Sequence, residues 1–220
     1  MDRKVIITSD GSTTIHIPEW DEQYHSIHGA IQEAKHVFIK NGLSLFNNQK
    51  LSILEMGFGT GLNSFITFLE AEKYKLSVDY VGVEAYPISN EVVEELNYVS
   101  ELKAEDFDSV FDAMHSEGWE VKNEISSKFT LTKRKQFFNE IKDIDTFNLI
   151  YFDAFGSRVQ PDLWTEEIFK LMYNSLKRNG VLVTYSAKGS VRRAMQAVGF
   201  TVERLEGPPG KREMLRATKK

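Results

Sequence analysis

The stretch that most constrains the fold is residues 51–63, LSILEMGFGTGLN, in which an apolar run ends in an acid and a glycine-rich turn follows. The glycines are Gly57, Gly59 and Gly61, and apolar residues recur at helical spacing from position 62 onward. Glycine lets the backbone turn tightly and lets a ligand approach closely. The segment therefore predicts strand, glycine turn and helix, which is the entrance to a Rossmann-type βαβ unit.

The glycine spacing also bears on the ligand. A dinucleotide fingerprint reads G-x-G-x-x-G, whereas this chain reads G-x-G-x-G, with Glu55 two residues before the first glycine. A carboxylate there would repel a pyrophosphate at the helix N-terminus, but it suits a cationic or amine-bearing ligand. S-adenosylmethionine carries a sulfonium and an ammonium and no phosphate, so the pattern favours it over NAD. A Rossmann strand with packing glycines and another nucleotide, or none, remains an alternative.

The rest of the chain alternates strand and helix patterns, which predicts an α/β fold with a doubly wound, mostly parallel sheet, an antiparallel C-terminal hairpin and a small N-terminal extension. We expect an N-terminal hairpin and helix over 1–48 and a second domain over 49–220. Strands are predicted at 5–8, 13–17, 51–55, 77–84, 129–132, 147–153, 181–185, 200–205 and 213–217. Helices are predicted at 27–38, 62–69, 92–99, 107–114, 163–176 and 191–198.

Two acids stand at the ends of predicted parallel strands, where such sheets bind ligands. Glu84 follows the second strand about two dozen residues after the glycine turn, roughly where these folds place the carboxylate that binds ribose hydroxyls. Asp153 ends the apolar run at 147–153. A surface acid at a strand end is the simpler explanation of each, but the position after a buried run favours the functional one.

Composition excludes several classes of protein. The 220 residues include no cysteine, which rules out disulfides, thiolate metal sites and cysteine nucleophiles. His25 and His28 have helix-like spacing without a further ligand pattern, so we expect no metal site. No apolar run has the length of a membrane span and no signal-peptide pattern follows Met1. We therefore expect a cytoplasmic protein that does not enter the membrane.

Charge leaves room for a nucleic-acid partner. The net charge of −5 argues against indiscriminate nucleic-acid binding over the whole surface. The C-terminal part is locally basic, which suits either a solvated surface or an RNA-binding face. The basic residues there are Lys188, Arg192, Arg193, Arg204, Lys211, Arg212, Arg216, Lys219 and Lys220.

Several segments, taken in order, resemble the methyltransferase domain of the MnmC family, which completes 5-methylaminomethyl-2-thiouridine at the wobble position of certain tRNAs. The matching segments are 55–63, 151–155 with 161–164, 184–187, 191–193 with 199–202, and 210–214. Residues 24–26 and 37–38 resemble the family's N-terminal element. Many methyltransferases share the glycine motif, but the aspartate loop with Pro-Asp-Leu-Trp and the later Lys-Arg-Glu-Met are far more specific.

The resemblance implies a Rossmann-like, S-adenosylmethionine-dependent enzyme that methylates the aminomethyl nitrogen of 5-aminomethyl-(2-thio)uridine in tRNA. It implies catalytic roles for Asp153, which would orient the amine and take its proton, and for Phe155, which would lie against the uracil. Implied cofactor-binding residues are Glu55, Gly57, Phe58, Gly59, Thr60, Gly61, Asn63, Glu84, Gln136, Asp153, Tyr24 and His25. Implied contacts to tRNA phosphates are Lys188, Arg192, Arg193, Lys211 and Arg212.

Two departures qualify the resemblance. The family's larger proteins often carry an FAD-dependent oxidase domain, which these 220 residues do not contain, so we expect the methylation step alone and a separate enzyme that supplies the amine. The resemblance also implies a monomer. The family pattern also places an aspartate near the adenine, where this chain has Gln136. An aminopropyltransferase that uses decarboxylated S-adenosylmethionine, or a non-catalytic binding module on the same fold, remains an alternative.

Overall fold

The structure is a computed structural model that describes residues 3–220. Its strands are β1 Lys4–Ile7, β2 Thr13–Ile17, β3 Glu22–Gln23, β4 Lys50–Met56, β5 Ser77–Val83, β6 Lys122–Ser126, β7 Phe129–Arg134, β8 Phe147–Phe152, β9 Leu176–Thr184, β10 Thr201–Glu206 and β11 Glu213–Thr218. The centre is an eight-stranded sheet in the order β10-β11-β9-β8-β4-β5-β7-β6. The five strands β9, β8, β4, β5 and β7 run parallel to one another, and β6, β10 and β11 pair antiparallel. The predicted α/β class, with a mostly parallel sheet and an antiparallel C-terminal hairpin, is confirmed.

Helices cover both faces of the large sheet, as the nearly continuous apolar runs of its parallel strands require. The helices are α1 Ala30–Ala34, which continues as a π-helical segment Lys35–Lys40, then α2 Leu62–Ala71, α3 Asn90–Glu94, α4 Tyr98–Glu101, α5 Asp108–Ser116, α6 Glu166–Ser175 and α7 Gly189–Ala197. One buried cluster packs α1, α2 and α5 on one face, and a second packs α6 and α7 on the other. Within residues 3–220, no helix is long and apolar enough to cross a membrane.

The N-terminal segment forms a small sheet of its own, in the order β1-β2-β3. The predicted hairpin, formed by β1 and β2, is confirmed. Strand β3 is only two residues long, which is too short for a sequence pattern to predict it. The π-helical segment lies directly on the large sheet, with the rings of Phe38 and Tyr151 4.9 Å apart. The division at 48/49 stays a prediction.

The predicted continuous helix over 92–99 is wrong, because the chain forms two short helices, α3 and α4. Asn97 stands between them and holds the N-terminal hairpin: its Nδ2 donates to the Gly11 carbonyl at 2.9 Å, and its Oδ1 accepts from the Thr13 N–H at 2.8 Å. Satisfying the hairpin's backbone groups in this way ends one helix and begins the next.

Two further predictions need correction. The helix predicted to reach Leu176 ends at Ser175, and Leu176 instead opens β9 beside Phe147. A buried apolar side chain at this position fits either pattern, so periodicity could not separate them. Strand β6, KNEIS, was missed because it is a polar edge strand with little buried surface.

Candidate functional site

A cavity of about 560 Å³ opens at the carboxyl ends of β4, β5 and β8. It lies where ligands bind in open α/β sheets. The glycine turn, the segments after β5 and β8, and the N-terminal sheet all contribute to its wall. Of the residues predicted for the site, those in the wall are Tyr24, His25, Gly57, Phe58, Gly59, Asn63, Glu84, Asp153 and Phe155.

The glycine turn follows β4 and is pressed against the end of β8. Gly57 has φ +95°, and a Cβ built there would lie 2.5 Å from the Asp153 carbonyl oxygen. Gly61 has φ +73° and begins α2. Only glycine combines this backbone conformation with so close an approach. The motif thus brings its own backbone into close contact with the end of β8, at the edge of the cavity.

Glu84 is held in place by the turn. The Gly59 N–H donates to its Oε2 at 3.1 Å, and the Tyr86 N–H donates to its Oε1 at 2.9 Å. Each carboxylate oxygen has a further lone pair, because an ionised carboxyl offers about four acceptor sites. The geometry therefore suits a carboxylate that accepts hydrogen bonds from a ligand's hydroxyl groups.

One amide connects the two acids that follow β4 and β8. Asn63, in the first turn of α2, donates from Nδ2 to Glu55 Oε1 and to Asp153 Oδ2, both at 2.8 Å. The Tyr80 hydroxyl donates to the other oxygen of Glu55 at 2.8 Å. Glu55 is fully buried behind Asn63 and does not line the cavity. It therefore supports Asn63, in contrast to the predicted direct contact with the ligand.

Burial changes the acidity of both carboxyls. Burial raises the pKa of Glu55 well above its ordinary value. Burial, and then the nearby charge of Glu33, raises the pKa of Asp153 from 3.8 to about 7, against the lowering effects of the Asn63 hydrogen bond and the Lys211 charge. A carboxyl that titrates near neutrality at the wall of a cavity is a candidate proton acceptor.

Aromatic side chains from the turn between β2 and β3, and from the residue after β3, close one side of the cavity over Phe155. The ring of Phe155 meets Trp20 edge-on at 5.4 Å and Tyr24 edge-on at 5.0 Å. Arg158, in the loop after β8, donates to the carbonyls of Trp20 and Asp21 at 2.9 and 2.8 Å. The loop that follows Asp153 is therefore tied to the N-terminal segment.

His25 contributes an uncharged ring to the same wall. Burial lowers the pKa of His25 to about 4, so the ring is neutral at pH 7. Its Nδ1 lies 3.2 Å from the Thr14 hydroxyl oxygen, and its backbone N–H donates to the same oxygen at 3.0 Å. These contacts fix the ring within the N-terminal sheet.

Besides Glu55, three predicted cofactor residues lie outside the cavity wall. Thr60 is buried beneath the glycine turn, where its hydroxyl accepts from Tyr98 at 3.1 Å, and Gly61 packs near the His115 ring. Gln136 lines a separate depression. The short helical turn Phe138–Glu140 instead places Asn139 in the cavity wall. Arg3, from the N-terminal segment, also lines the wall, and no sequence pattern indicated either residue.

The predicted phosphate-binding residues fall into two groups. Lys188, Arg193 and Arg212 are exposed, and Lys188 Nζ donates to Ser157 Oγ at 2.8 Å in the loop after β8. Arg192 is partly buried. Lys211 differs, because its ammonium is ion-paired with the buried Glu33.

The charges of the wall fit a cationic ligand. Among the described residues, four carboxyls and one guanidinium line the cavity: Glu84, Glu140, Asp153, Asp162 and Arg3. The volume is within the range of small-molecule sites. These residues thus suit S-adenosylmethionine, with Glu84 available to hydroxyl groups. Within residues 3–220 there is no group of three or more His, Asp or Glu side chains that could hold a metal ion.

The chain is similar in sequence to known proteins that share one name. Over 210 residues the chain is 27% identical to the tRNA 5-methylaminomethyl-2-thiouridine biosynthesis bifunctional protein MnmC of Hydrogenovibrio crunogenus, covering 89% of this chain and 31% of that protein. It is 29% identical over 214 residues to the protein of the same name from Leptospira borgpetersenii, covering 89% and 32%. The chain thus spans about a third of the length of these relatives.

Solved structures show the same fold. The crystal structure of MNMC2 from Aquifex aeolicus superimposes with a TM-score of 0.79 at 22% identity, covering 100% of this chain and 70% of that one. Spermidine synthase from Thermotoga maritima gives a TM-score of 0.57 at 16% identity, covering 99% and 73%.

The family model of S-adenosyl-L-methionine-dependent methyltransferases matches residues 100–220, which include Asp153 and the C-terminal hairpin. The glycine turn at residues 57–61 precedes the matched residues. This chain therefore belongs to the S-adenosyl-L-methionine-dependent methyltransferase family, and its cofactor is S-adenosylmethionine.

Proposed function

We propose that this chain methylates the aminomethyl nitrogen of 5-aminomethyl-(2-thio)uridine at the wobble position of tRNA. The observation that carries the proposal is Asp153: a carboxyl with a pKa of about 7, at the end of β8, in the wall of an acid-rich cavity. The names of the relatives, which refer to 5-methylaminomethyl-2-thiouridine biosynthesis in tRNA, support the choice of substrate.

Asp153 has the properties needed to handle an amine. When bound, S-adenosylmethionine supplies a sulfonium methyl group, and attack by an amine lone pair breaks the carbon–sulfur bond and leaves its electron pair on sulfur. An alkylamine is mostly protonated at pH 7, since its pKa is near that of lysine, about 10.4. Ionised Asp153 attracts the ammonium and accepts its proton, and a base whose pKa is about 7 does so better than an ordinary aspartate.

The neighbouring groups give Asp153 a fixed orientation. The Asn63 amide holds Oδ2 at 2.8 Å, which leaves Oδ1 for the amine. Asn63 is held in turn by the buried Glu55. This arrangement favours proton transfer at one oxygen, because positioning of reacting groups supplies much of the rate in such reactions.

The aromatic side of the cavity is suited to a nucleobase. Trp20, Tyr24 and Phe155 present ring surfaces beside Asp153. Aromatic side chains commonly stack on unpaired bases in RNA. The exposed Lys188, Arg193 and Arg212 would then meet phosphates and position the tRNA without reading its sequence.

Only the methylation step is proposed for these residues, since they match about a third of each relative. We propose that another catalytic centre supplies the aminomethyl group. The division into residues 1–48 and 49–220, the monomeric state and the cytoplasmic location stay predictions.

Nucleoside analysis tests the proposal. The protein is incubated with S-adenosylmethionine labelled in its methyl group and with tRNA that carries the aminomethyl group without its methyl. We expect label in the wobble nucleoside with the natural chain and none with Asp153→Asn, while calorimetry with S-adenosylhomocysteine shows that the variant still binds. Label absent from tRNA, together with activity towards polyamines and decarboxylated S-adenosylmethionine, would instead indicate an aminopropyltransferase.

A further inference from the structure

Lys211 lies in the loop between β10 and β11, and its side chain reaches across to α1. Its Nζ is ion-paired with Glu33 of α1, whose side chain is only 8% exposed. The same ammonium lies 3.9 Å from the centroid of the Tyr185 ring. Both are short contacts for a cation, so the charge is anchored at this position.

The cluster formed by Glu33, Lys211 and Tyr185 borders Asp153. The Tyr185 hydroxyl donates to the carbonyl of Ala154, the residue after Asp153, at 2.8 Å. Glu33 also accepts from the Ser26 N–H at 3.2 Å, which ties it to the N-terminal segment. Opposite charges thus stand side by side behind the proposed proton acceptor.

We propose that Lys211 is a positioning residue that, with Glu33, controls the charge of Asp153 through space and does not bind tRNA phosphate. This inference rests on the proposed function, because it gives Asp153 the role of proton acceptor. Glu33 disfavours the ionised form of Asp153, and Lys211 favours it. The ion pair holds these two opposing influences close together, and that of Glu33 is the larger.

Other groups that face Asp153 act on it as well, and all of them are retained in the variants that test the proposal. These groups are the amide of Asn63 on α2, Glu55 on β4, Tyr80 on β5 and Tyr185 after β9, and His25 faces Glu33 and Lys211 from the N-terminal sheet.

The two partners should have effects of opposite sign. Lys211→Met removes the positive charge, so the pKa of Asp153 should rise; Glu33→Gln removes the negative charge, so it should fall. The double variant removes both charges and should titrate between the two single variants. A merely structural role would move both single variants in the same direction, because each would loosen the same cluster.

The titration can be measured without substrate. Aspartate labelled with ¹³C in its carboxyl is followed by NMR from pH 4 to pH 10, and the Asp153 signal is assigned by its absence in Asp153→Asn. We expect a higher midpoint in Lys211→Met, a lower one in Glu33→Gln, and the natural midpoint in Lys211→Arg, which keeps the charge. Should Lys211→Met fail to fold, Lys211→Gln and Lys211→Arg make the same comparison.

The second readout is kinetic: the kcat/KM of Lys211→Met is divided by the kcat/KM of the natural chain. Ionisation of the substrate affects both values equally, so it cancels from this ratio. If the Asp153 midpoint rises by about half a pH unit, this ratio should fall about threefold on the acidic side and return to one at high pH. Arg212→Met is the matched control: we expect a higher KM for tRNA and a weaker salt dependence, with the Asp153 midpoint unchanged.

Two results would overturn the inference. One is a common direction of change in the Asp153 midpoint in Lys211→Met and Glu33→Gln. The other is an unchanged Asp153 midpoint in Lys211→Met with a weaker salt dependence of tRNA binding, which would make Lys211 a phosphate contact. Because the NMR titration needs no tRNA, failure of the proposed function would appear separately, as missing label in the nucleoside assay.

Discussion

Replacing Asp153 with asparagine should stabilise the folded chain at pH 8 even though it removes the proposed proton acceptor. The pKa of Asp153 is raised from 3.8 to about 7, chiefly by burial. The folded chain therefore holds this proton more tightly than the unfolded chain does. As the pH rises from 3.8 through 7, the free energy of unfolding falls, because the folded chain must ionise a buried carboxyl.

The two pKa values set the size of the effect. A difference of about three pH units corresponds to at most about 4 kcal/mol of lost stability at pH 8 and about 1.5 kcal/mol at pH 5. Water in the cavity makes both figures upper values. Asparagine carries no charge in either state, so Asp153→Asn should gain roughly 2.5 kcal/mol more at pH 8 than at pH 5.

Urea unfolding of both proteins at pH 5 and pH 8, without cofactor, measures the difference. Asp162→Asn is a suitable control, because it removes an exposed carboxyl from the same cavity wall. An equal gain at the two pH values, or a variant less stable than the natural chain at pH 8, would show that burial does not raise the pKa of Asp153 as the structure implies.

Three more perturbations test the parts of the site. In Gly57→Ala the new methyl group would lie 2.5 Å from the Asp153 carbonyl oxygen, at a residue with φ +95°. This variant should lose about 1–3 kcal/mol of stability and most S-adenosylhomocysteine binding. The control Gly118→Ala, whose new methyl group has its nearest atom at 4.0 Å, should lose neither. Glu84→Gln should weaken that binding about 10- to 100-fold by calorimetry, and unchanged affinity would exclude a ligand contact. Arg192→Met and Arg193→Met should each weaken tRNA binding and lower its salt slope by about one, with S-adenosylhomocysteine affinity unchanged; an equal loss of both affinities would indicate misfolding.

Local patterns made much of the site predictable. The glycine turn and the acids Glu84 and Asp153 stand at strand ends, and both strand ends and turns leave signals within a few residues. Since the carboxyl ends of parallel strands meet at one edge of a sheet, sequence position alone placed these residues together. The cavity wall contains all three.

What the sequence could not predict depends on contacts between distant segments. Lys211 and Glu33 are 178 residues apart, and each looks like a surface charge until the hairpin folds over α1. The direction of the Glu55 side chain could not be predicted for a similar reason. Its two carboxylate oxygens accept hydrogen bonds from Asn63 on α2 and from Tyr80 on the neighbouring strand, and both partners are distant in sequence. Patterns of charge show which residue types are present, but not which partners they find.

The contacts also suggest how the two substrates are divided between parts of the fold. The glycine turn and Glu84 belong to the parallel sheet and its first helix, which are common to proteins as different in sequence as MNMC2 and spermidine synthase. Trp20 lies in the turn between β2 and β3 and Tyr24 directly follows β3, and Arg158 ties this N-terminal segment to the loop carrying Phe155. Because these two side chains stand outside the shared parallel sheet, we expect substitutions of Trp20 and Tyr24 to change the choice of amine acceptor while leaving cofactor affinity unaltered.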